Sequence, residues 1–402
     1  MIDINSFIHQ HITNRDESFF KHDLEQHHKA LSQAISGKSV LVIGGAGTIG
    51  SSYIRSVLKY RPSRLYVIDI SENSLTELTR DLRSTLGGYV PEDYKTYPIN
   101  FNDAVFYRLF AKEGPFDIVA NFAAHKHVRS EKDHYSITAL LENNVIRAEK
   151  FLAFLRQHPP RHFFCVSTDK AANPVNIMGG SKKIMEEMIM AYANYFPITT
   201  ARFANVAFSN GSLLDGFIFR MMKRQPFSVP TDVKRYFVSP DESGEICMLA
   251  CMLGTSGEVF FPKLNEDKLT SFKDITEAFV KSMGMEVIPF ETEQGAKEYA
   301  ANMLDNTKFW PVYYFSSDTS GEKAYEEFYT ESELPDLETY HALGVIKNAP
   351  RRSLDEIHAM LNKLNTVLNS PEVTKAAIVK VMTEFLPTFR HLETGKNLDQ
   401  KM

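Results

Sequence analysis

Cysteine is scarce in this sequence, and long apolar runs are missing from it. Three of the 402 residues are cysteine and one is tryptophan. Three cysteines cannot form the disulfide framework of a small secreted protein, so the composition favours a reducing compartment. No window reaches the roughly 18 apolar residues that a membrane-spanning helix requires, and the polar N-terminus lacks the pattern of a signal peptide. We therefore expect a cytoplasmic protein with no membrane span.

The sequence also has little excess charge of either sign. It carries 45 Lys and Arg against 50 Asp and Glu, which gives a net charge of −5. This balance produces no general attraction to nucleic acid or to an anionic membrane, and we predict neither as a partner. The histidines His125, His127 and His162 lack the spacing of metal ligands, so no metal site is predicted.

The strongest motif follows an apolar, β-branched run at residues 40–43, which has the length of one buried strand. Gly44 permits a tight turn, Gly47 lets the backbone approach a pyrophosphate, and Gly50 lets the next helix pack closely on the strand. The N-terminus of that helix adds free N–H groups and a partial positive charge. This glycine spacing is the version seen in extended short-chain dehydrogenase/reductases. The residues predicted to hold a dinucleotide here are Gly44, Gly47, Thr48, Ile49 and Gly50.

A carboxylate ends the second apolar run of this unit. Asp69 follows residues 65–68 and lies nineteen positions beyond Gly50. A carboxylate at this place accepts hydrogen bonds from the ribose 2′- and 3′-hydroxyls and repels a 2′-phosphate. A lone glycine triplet would also fit an ordinary loop. The second strand and the acid make the unit a predicted dinucleotide site, with NAD rather than NADP as the cofactor.

Alternating strand and helix patterns continue to about residue 205 and predict the fold class. We expect an α/β protein with a Rossmann-like doubly wound parallel sheet, a smaller C-terminal α/β substrate-binding region and added terminal helices. The first 37 residues either pack as helices on the main domain or a partner subunit, or form a solvated leader. Residues 257–350 are expected to be irregular. The predicted division is an N-terminal helical extension at 1–37, the NAD-binding domain at 38–205, the substrate-binding region at 206–350, and C-terminal helices and tail at 351–402.

Ligands of such a sheet bind beyond the carboxyl ends of its strands. Asp103 follows the third predicted strand, at residues 96–101, and a carboxylate there could accept from an adenine amino group. Ala123 follows the fourth, at residues 118–122, and is a second predicted cofactor contact.

The chemistry is predicted to reside after the fifth strand, where Thr168, Asp169 and Lys170 stand together. Nine residues past Asp169 a helix begins with Met178, and Lys182 follows four residues later. Dehydrogenases of this superfamily usually have Tyr-x-x-x-Lys here, and a thioether cannot replace the tyrosine as an acid or base. The chain could therefore be a purely binding member. Asp169 and Lys170 argue against that alternative, because two extra proton-transfer groups are what an elimination needs.

These motifs resemble those of the polysaccharide-biosynthesis UDP-N-acetylglucosamine 4,6-dehydratases. The resemblance covers about residues 38–330 and is closest to the branch in which methionine replaces the tyrosine, which implies a product that keeps its C5 configuration. It implies that NAD oxidises C4 of the sugar, that water is lost across C5 and C6, and that the hydride returns to C6. The matching segments are 44–50, 123–128, 167–174, 178–182, 202–206 and 321–327.

The same resemblance assigns roles to the candidate catalytic residues. It implies that Asp169 protonates the C6 hydroxyl and that Lys170 removes the C5 proton. Thr168 and Lys182 would handle the C4 proton, with water in the space that the missing tyrosine leaves beside Met178. The implied contacts to the UDP-sugar are Lys126, Asn205, Ser212 and Arg235, and a homo-oligomer is expected.

Two other functions fit part of the pattern. A UDP-sugar 4-epimerase oxidises C4 and then reduces it again, and it needs neither a C5 base nor a C6 acid. A non-catalytic dinucleotide-binding protein is compatible with Met178. The Asp169–Lys170 pair favours the dehydratase over both. At Thr319 and Ser320 the chain departs from the family's Arg-Pro, which leaves the identity of the sugar open.

Overall fold

Strands and helices alternate through the first half of the chain, as the sequence predicts. The computed structural model describes residues 3–317, 323, 325–393 and 395. Its strands are β1 (Ser39–Ile43), β2 (Arg64–Asp69), β3 (Asp93–Pro98), β4 (Ile118–Asn121), β5 (His162–Val166), β6 (Ile198–Ala201), β7 (Asn205–Val206), β8 (Phe227–Pro230), β9 (Lys234–Arg235), β10 (Phe237–Val238), β11 (Glu258–Pro262), β12 (Thr270–Ser271), β13 (Glu286–Phe290), β14 (Phe309–Phe315), β15 (Pro335–Asp336) and β16 (Leu343–Ile346).

The helices connect these strands and extend the chain at both ends. They are α1 (Ile4–Phe7), α2 (Lys21–Gln26), α3 (His28–Ile35), α4 (Thr48–Leu58), α5 (Glu72–Ser84), α6 (Ala104–Glu113), α7 (His134–Leu141), α8 (Arg147–Gln157), α9 (Ile177–Tyr192), α10 (Leu213–Met222), α11 (Pro240–Leu253), α12 (Phe272–Ser282), α13 (Glu293–Ala301), α14 (Leu354–Leu368) and α15 (Lys375–Phe385). A π-helical segment, Glu142–Ile146, joins α7 to α8. No helix in the described part of the chain is long and apolar enough to cross a membrane.

The main sheet has nine strands in the order β15-β16-β11-β6-β5-β4-β1-β2-β3. The seven strands from β11 to β3 are parallel, and β16 and β15 are antiparallel additions at one edge. The central strands are apolar on both faces because helices cover both sides of the sheet. The strand order reverses between β1 and β4, where a doubly wound sheet opens its ligand crevice. The predicted fold class is confirmed.

The prediction that residues 257–350 are irregular is wrong. β11 pairs with β6 in the main sheet, and β16 pairs with β11 across more than 80 residues of chain. Between them, β13 and β14 join β8 in a separate three-stranded sheet. Short strands separated by turns and pairing over long distances leave little periodicity in the sequence. Residues beyond 205 thus complete the main sheet, and the division at 205 stays a prediction.

The N-terminal segment packs on the body of the same chain. Phe7 and Ile12 belong to the apolar cluster around the small sheet, and Leu31 belongs to the main core. The Asp23 carboxylate accepts hydrogen bonds of 2.7 Å from the backbone N–H groups of His341 and Ala342. This packing favours the helical alternative for residues 3–35 over a solvated leader.

The C-terminal segment reaches the helix that carries Met178. A capping box begins α14, in which the Ser353 and Glu356 side chains each accept from the other's backbone N–H group. After α15, the backbone N–H groups of Arg390 and Leu392 donate to the carbonyls of Pro174 and Val175. This contact fixes the loop in front of α9. Thr319 and Ser320, Gly321, Glu322 and Ala324 of the matched segment, and Thr394 and residues 396–402 of the predicted tail lie outside the described residues.

Candidate active site

The glycine segment forms a tight turn between β1 and α4. Gly44 has a φ of +70°, and a Cβ added there would lie 2.6 Å from the backbone nitrogen of Ala123. A Cβ on Gly50 would lie 2.3 Å from the carbonyl oxygen of Gly44. Both positions therefore exclude side chains, and the turn brings β1 and β4 together as a dinucleotide site requires. Gly47 caps the N-terminus of α4, and Thr48 and Ile49 form its first turn.

Asp69 lies beside this turn at the end of β2. One of its carboxylate oxygens accepts a hydrogen bond from the Ala46 N–H at 3.1 Å, and the other accepts from the Ser71 N–H at 3.0 Å. The carboxylate is partly exposed, so further donors can reach it. Asp103 is exposed at the N-terminus of α6, and β3 spans residues 93–98 instead of the predicted 96–101.

The Thr168–Asp169–Lys170 group forms a compact hydrogen-bonded cluster after β5. Asp169 Oδ1 accepts from Thr168 Oγ1 at 2.8 Å, from the Lys170 N–H at 2.9 Å and from Lys170 Nζ at 3.1 Å. The other oxygen, Oδ2, accepts no hydrogen bond from the residues that the structure describes. Oδ2 is therefore the oxygen free to carry a proton.

Met178 and Lys182 lie one turn apart on α9. Lys182 is 4% exposed, and its Nζ donates to the carbonyl of Val166 at 3.0 Å. Burial lowers the pKa of Lys182, and the nearby Cys165 and Glu186 oppose this only in part. A lysine with a lowered pKa is suited to proton transfer near neutral pH. The Met178 N–H donates to the Glu131 carboxylate at 2.9 Å, which fixes the start of the helix.

A cavity of about 760 Å³ opens beside this cluster, a size ordinary for a small-molecule site. It brings together most of the predicted catalytic and substrate residues, which come from five separate segments. The predicted residues in its lining are Ile49, Lys126, Thr168, Lys170, Met178, Lys182, Asn205 and Ser212.

Two of the predicted catalytic and substrate-binding residues do not reach the cavity wall. Asp169 is 3% exposed and adjoins the cavity through its neighbours Thr168 and Lys170. Arg235 is also buried, and its guanidinium donates to the carbonyls of Lys234 and Lys323 at 2.8 and 3.0 Å. Since other groups occupy this guanidinium, we do not assign Arg235 to the cavity.

The structure adds two cavity residues that the sequence analysis missed. Arg220, on α10, lines the cavity, and its Nε is buried without a hydrogen-bond partner in the described part of the chain. Ser228, on β8, also lines the cavity, and its hydroxyl is buried without a hydrogen-bond partner in the described residues. Arg220 lies eight residues after Ser212, about two helical turns. This spacing from a predicted substrate residue is the signal by which the sequence could have identified Arg220.

Comparison with known proteins gives the family and the fold. The model of the family described as "Polysaccharide biosynthesis protein" matches residues 40–347. An uncharacterized membrane protein of Methanocaldococcus jannaschii is 28% identical over 79% of this chain and 87% of its own length. The UDP-N-acetylglucosamine 4,6-dehydratase (inverting) of Campylobacter jejuni is 26% identical over 59% of this chain and 70% of its own.

Other relatives are longer than this chain. The capsular polysaccharide biosynthesis protein CapD of Staphylococcus aureus is 26% identical over 78% of this chain, and the match spans 48% of its length.

The X-ray structure of Pen from Bacillus thuringiensis has the same fold, with a TM-score of 0.63, 21% identity, and coverage of 84% of this chain and 99% of that one. The predicted family is thereby confirmed, and this chain belongs to the polysaccharide biosynthesis protein family, since the family model spans well over half of it.

Proposed function

We propose that this protein is an NAD-dependent nucleotide-sugar 4,6-dehydratase that acts on UDP-N-acetylglucosamine and retains the C5 configuration. The single observation that carries the proposal is the Thr168–Asp169–Lys170 cluster, which lies at one cavity with Lys182 and with Met178 in place of a tyrosine. The similarity to a UDP-N-acetylglucosamine 4,6-dehydratase supports the substrate class.

The residues around the glycine turn fit NAD. The Gly44–Gly50 turn and the first turn of α4 would hold the pyrophosphate, and Asp69 would accept from the adenosine ribose hydroxyls. Held by these residues, NAD would supply the hydride acceptor for C4 and the hydride donor for C6.

The remaining steps are proton transfers by side chains of this chain. Thr168 and Lys182 take the proton of the C4 hydroxyl, with water relaying it beside Met178. Lys170 takes the C5 proton, and the electrons of that C–H bond form the C5–C6 double bond. Asp169 Oδ2 protonates the departing C6 hydroxyl, so one water leaves. The C4 hydroxyl proton replaces the one that Asp169 gave up. Because Asp169 does not line the cavity, we infer that its side chain rotates when substrate binds.

The substrate's diphosphate needs cationic partners at the cavity wall. Lys126 and Arg220 line it, and the Nε of Arg220 is buried without a hydrogen-bond partner in the described structure. A guanidinium is well suited to a diphosphate. We therefore assign this contact to Arg220, with Asn205 and Ser212 as neutral hydrogen-bonding partners of the sugar.

Mass spectrometry after incubation with UDP-N-acetylglucosamine tests the function directly. A dehydratase gives a nucleotide sugar lighter by one water. An epimerase gives UDP-N-acetylgalactosamine of unchanged mass, which chromatography separates from the substrate. A protein that only binds dinucleotide leaves the sugar unaltered. Either of the last two results would overturn the proposal.

Asp69 should make the protein select NAD over NADP. Hydrogen bonds to a charged group contribute about 1.5–3 kcal/mol, so Asp69→Asn should reduce the ratio of NAD to NADP affinity by about tenfold or more. Titration of the cofactor-free protein by calorimetry measures both affinities, and the melting temperature without cofactor reports on the turn. Tighter binding of NADP than of NAD by the parent protein would refute the assignment.

Met178→Tyr should not speed the release of water. Met178 is 2% exposed in the cavity wall, so a larger ring would displace the water proposed to relay the C4 proton. Turnover should stay level or fall. Met178→Leu is the matched control and should keep the parent turnover, because Leu and Met differ little in volume. A clear gain with tyrosine would show that Met178 is a defect and would remove the relay from the mechanism.

A further inference from the structure

We propose that Glu326 is the proton partner of Lys170: its carboxyl takes the ammonium proton of Lys170, so that Lys170 acts on the sugar as a free amine. This inference rests on the proposed function, in which Lys170 removes the C5 proton. Glu326 reaches the sugar only through Lys170, and it is therefore a positioning residue for the reactive proton.

The geometry places one ammonium between two carboxylates. Lys170 Nζ is 3.1 Å from Asp169 Oδ1 and 3.9 Å from Glu326 Oε1. Both acids are buried, with 3% and 4% of their surface exposed. While Asp169 is a carboxylate, like charges in this poorly solvated site repel and favour a proton on one of the two acids. Once Asp169 holds the proton that it gives to the C6 hydroxyl, burial alone favours the acid form of Glu326.

Glu326 differs from the other buried acids in the described part of the chain. Eight of the nine buried Asp and Glu side chains accept hydrogen bonds, and Glu326 alone accepts none. A buried carboxylate without hydrogen bonds is strongly disfavoured, whereas the protonated carboxyl is tolerated. The environment of Glu326 therefore stabilises the acid form that the transfer from Lys170 produces.

The surrounding charges act in both directions. Burial raises the pKa of Glu326 most, and the Asp169 carboxylate raises it further. Lys170, Arg235 and Lys323 oppose this increase, and the net shift is upward. The raised pKa makes the Glu326 carboxylate a better acceptor for the Lys170 proton than an exposed glutamate.

The proton transfer balances without any further reactant. The ammonium of Lys170 and the carboxylate of Glu326 become an amine and a carboxylic acid, so two opposite charges disappear from a buried site. The amine then takes the C5 proton while the C6 hydroxyl leaves with the proton of Asp169. After the hydride has returned to C6, Lys170 gives its proton back to C5, and the pair is restored.

Glu326→Gln removes the proton acceptor and keeps the shape, and Glu327→Gln is the matched control. Glu327 is the next residue, is exposed, and accepts a hydrogen bond from Asn173. In the parent enzyme, Lys170 is a free amine when Glu326 carries the one proton that these two side chains share. In Glu326→Gln it must lose that proton to solvent, so activity needs a higher pH.

We expect Glu326→Gln to reduce water release and C5 proton exchange with heavy water by about 10²-fold at pH 7, the lower range for lost proton-transfer assistance. The rate should recover as the pH is raised. Glu326→Asp should restore part of the activity at pH 7, and Glu327→Gln should follow the parent profile. An equal loss at every pH, or an unchanged rate, would overturn the proposal.

Infrared titration of the substrate-free protein gives a readout that is independent of activity. The parent and Glu327→Gln should show a protonated carboxyl band that persists above the ordinary glutamate range, and Glu326→Gln should lack it. A missing band in the parent would refute the proton sharing even if the enzyme is a dehydratase. If the parent protein shows the band but releases no water, the proposed function is overturned. The role of Glu326 in C5 chemistry is then overturned as well.

Discussion

Replacing Asp169 by asparagine should slow the loss of water from UDP-N-acetylglucosamine by about 10²–10⁴-fold, the usual loss when general-acid assistance is removed. Asparagine keeps the shape of the side chain and can still accept from Thr168 Oγ1 through its amide oxygen. It cannot donate a proton to the C6 hydroxyl, and hydroxide is a poor leaving group. In the proposed mechanism, oxidation at C4 relies on Thr168 and Lys182, and it should survive. The variant should therefore accumulate reduced cofactor when substrate is added.

Two measurements separate this outcome from simple damage. Absorbance in the near ultraviolet follows the reduced cofactor, and mass spectrometry follows water release. Lys170→Met should also accumulate reduced cofactor, and it should abolish exchange of the C5 proton with heavy water, whereas Asp169→Asn can retain some exchange. If Asp169→Asn releases water at the parent rate, Asp169 is structural and the acid must be sought elsewhere in the cavity wall.

Replacing Arg202 by methionine should lower the free energy of unfolding by about 3–5 kcal/mol, the typical loss when one partner of a buried ion pair is removed. Arg202 is fully buried. Its guanidinium donates to both carboxylate oxygens of Glu186 at 2.9 and 2.7 Å, and to both of Glu333 at 2.7 Å. The variant would leave two buried carboxylates with only Lys183 as a neighbouring cation, close to β5, the strand that precedes Thr168.

Arg161→Met is the matched control for this prediction. Arg161 also forms an ion pair, with Asp117 at 2.8 Å, but 73% of its side chain is exposed. Exposed pairs contribute about 0–1 kcal/mol, so this variant should unfold close to the parent denaturant midpoint. Equal midpoints for the two variants would show that the Arg202 cluster contributes no more than a surface pair.

The same cluster should make stability depend on pH in acid. Burial by itself would raise the pKa of Glu333, but the hydrogen bonds and charge of Arg202, with Lys183, lower it to about 2 from an ordinary value of 4.5. A carboxyl whose pKa falls on folding stabilises the protein above its unfolded pKa, and this contribution is lost as the pH falls. The stability difference between parent and Arg202→Met should be full above about pH 4.5 and shrink toward pH 2. A constant difference over that range would contradict the assignment.

The sequence by itself determined the glycine turn after β1 and located the candidate catalytic segment. In both, the chemistry-bearing residues are close in the chain, as in the turn after β1 and in Thr168, Asp169 and Lys170. Local rules of strand length, glycine conformation and helix spacing therefore applied directly. The absence of a proton-transferring side chain at Met178 could also be read without coordinates, because it depends only on the identity of the residue.

Only the tertiary structure decided which distant residues meet these segments. Arg235 was expected to contact the substrate, but its guanidinium donates hydrogen bonds to two backbone carbonyls. Arg220 lines the cavity instead. Glu326 comes beside Lys170 from 156 residues further along the chain. No local pattern encodes such contacts, since they depend on the pairing of β11 with β6 and β16 and on which polar groups remain without partners once the core has packed. Burial then sets the charge that these groups carry.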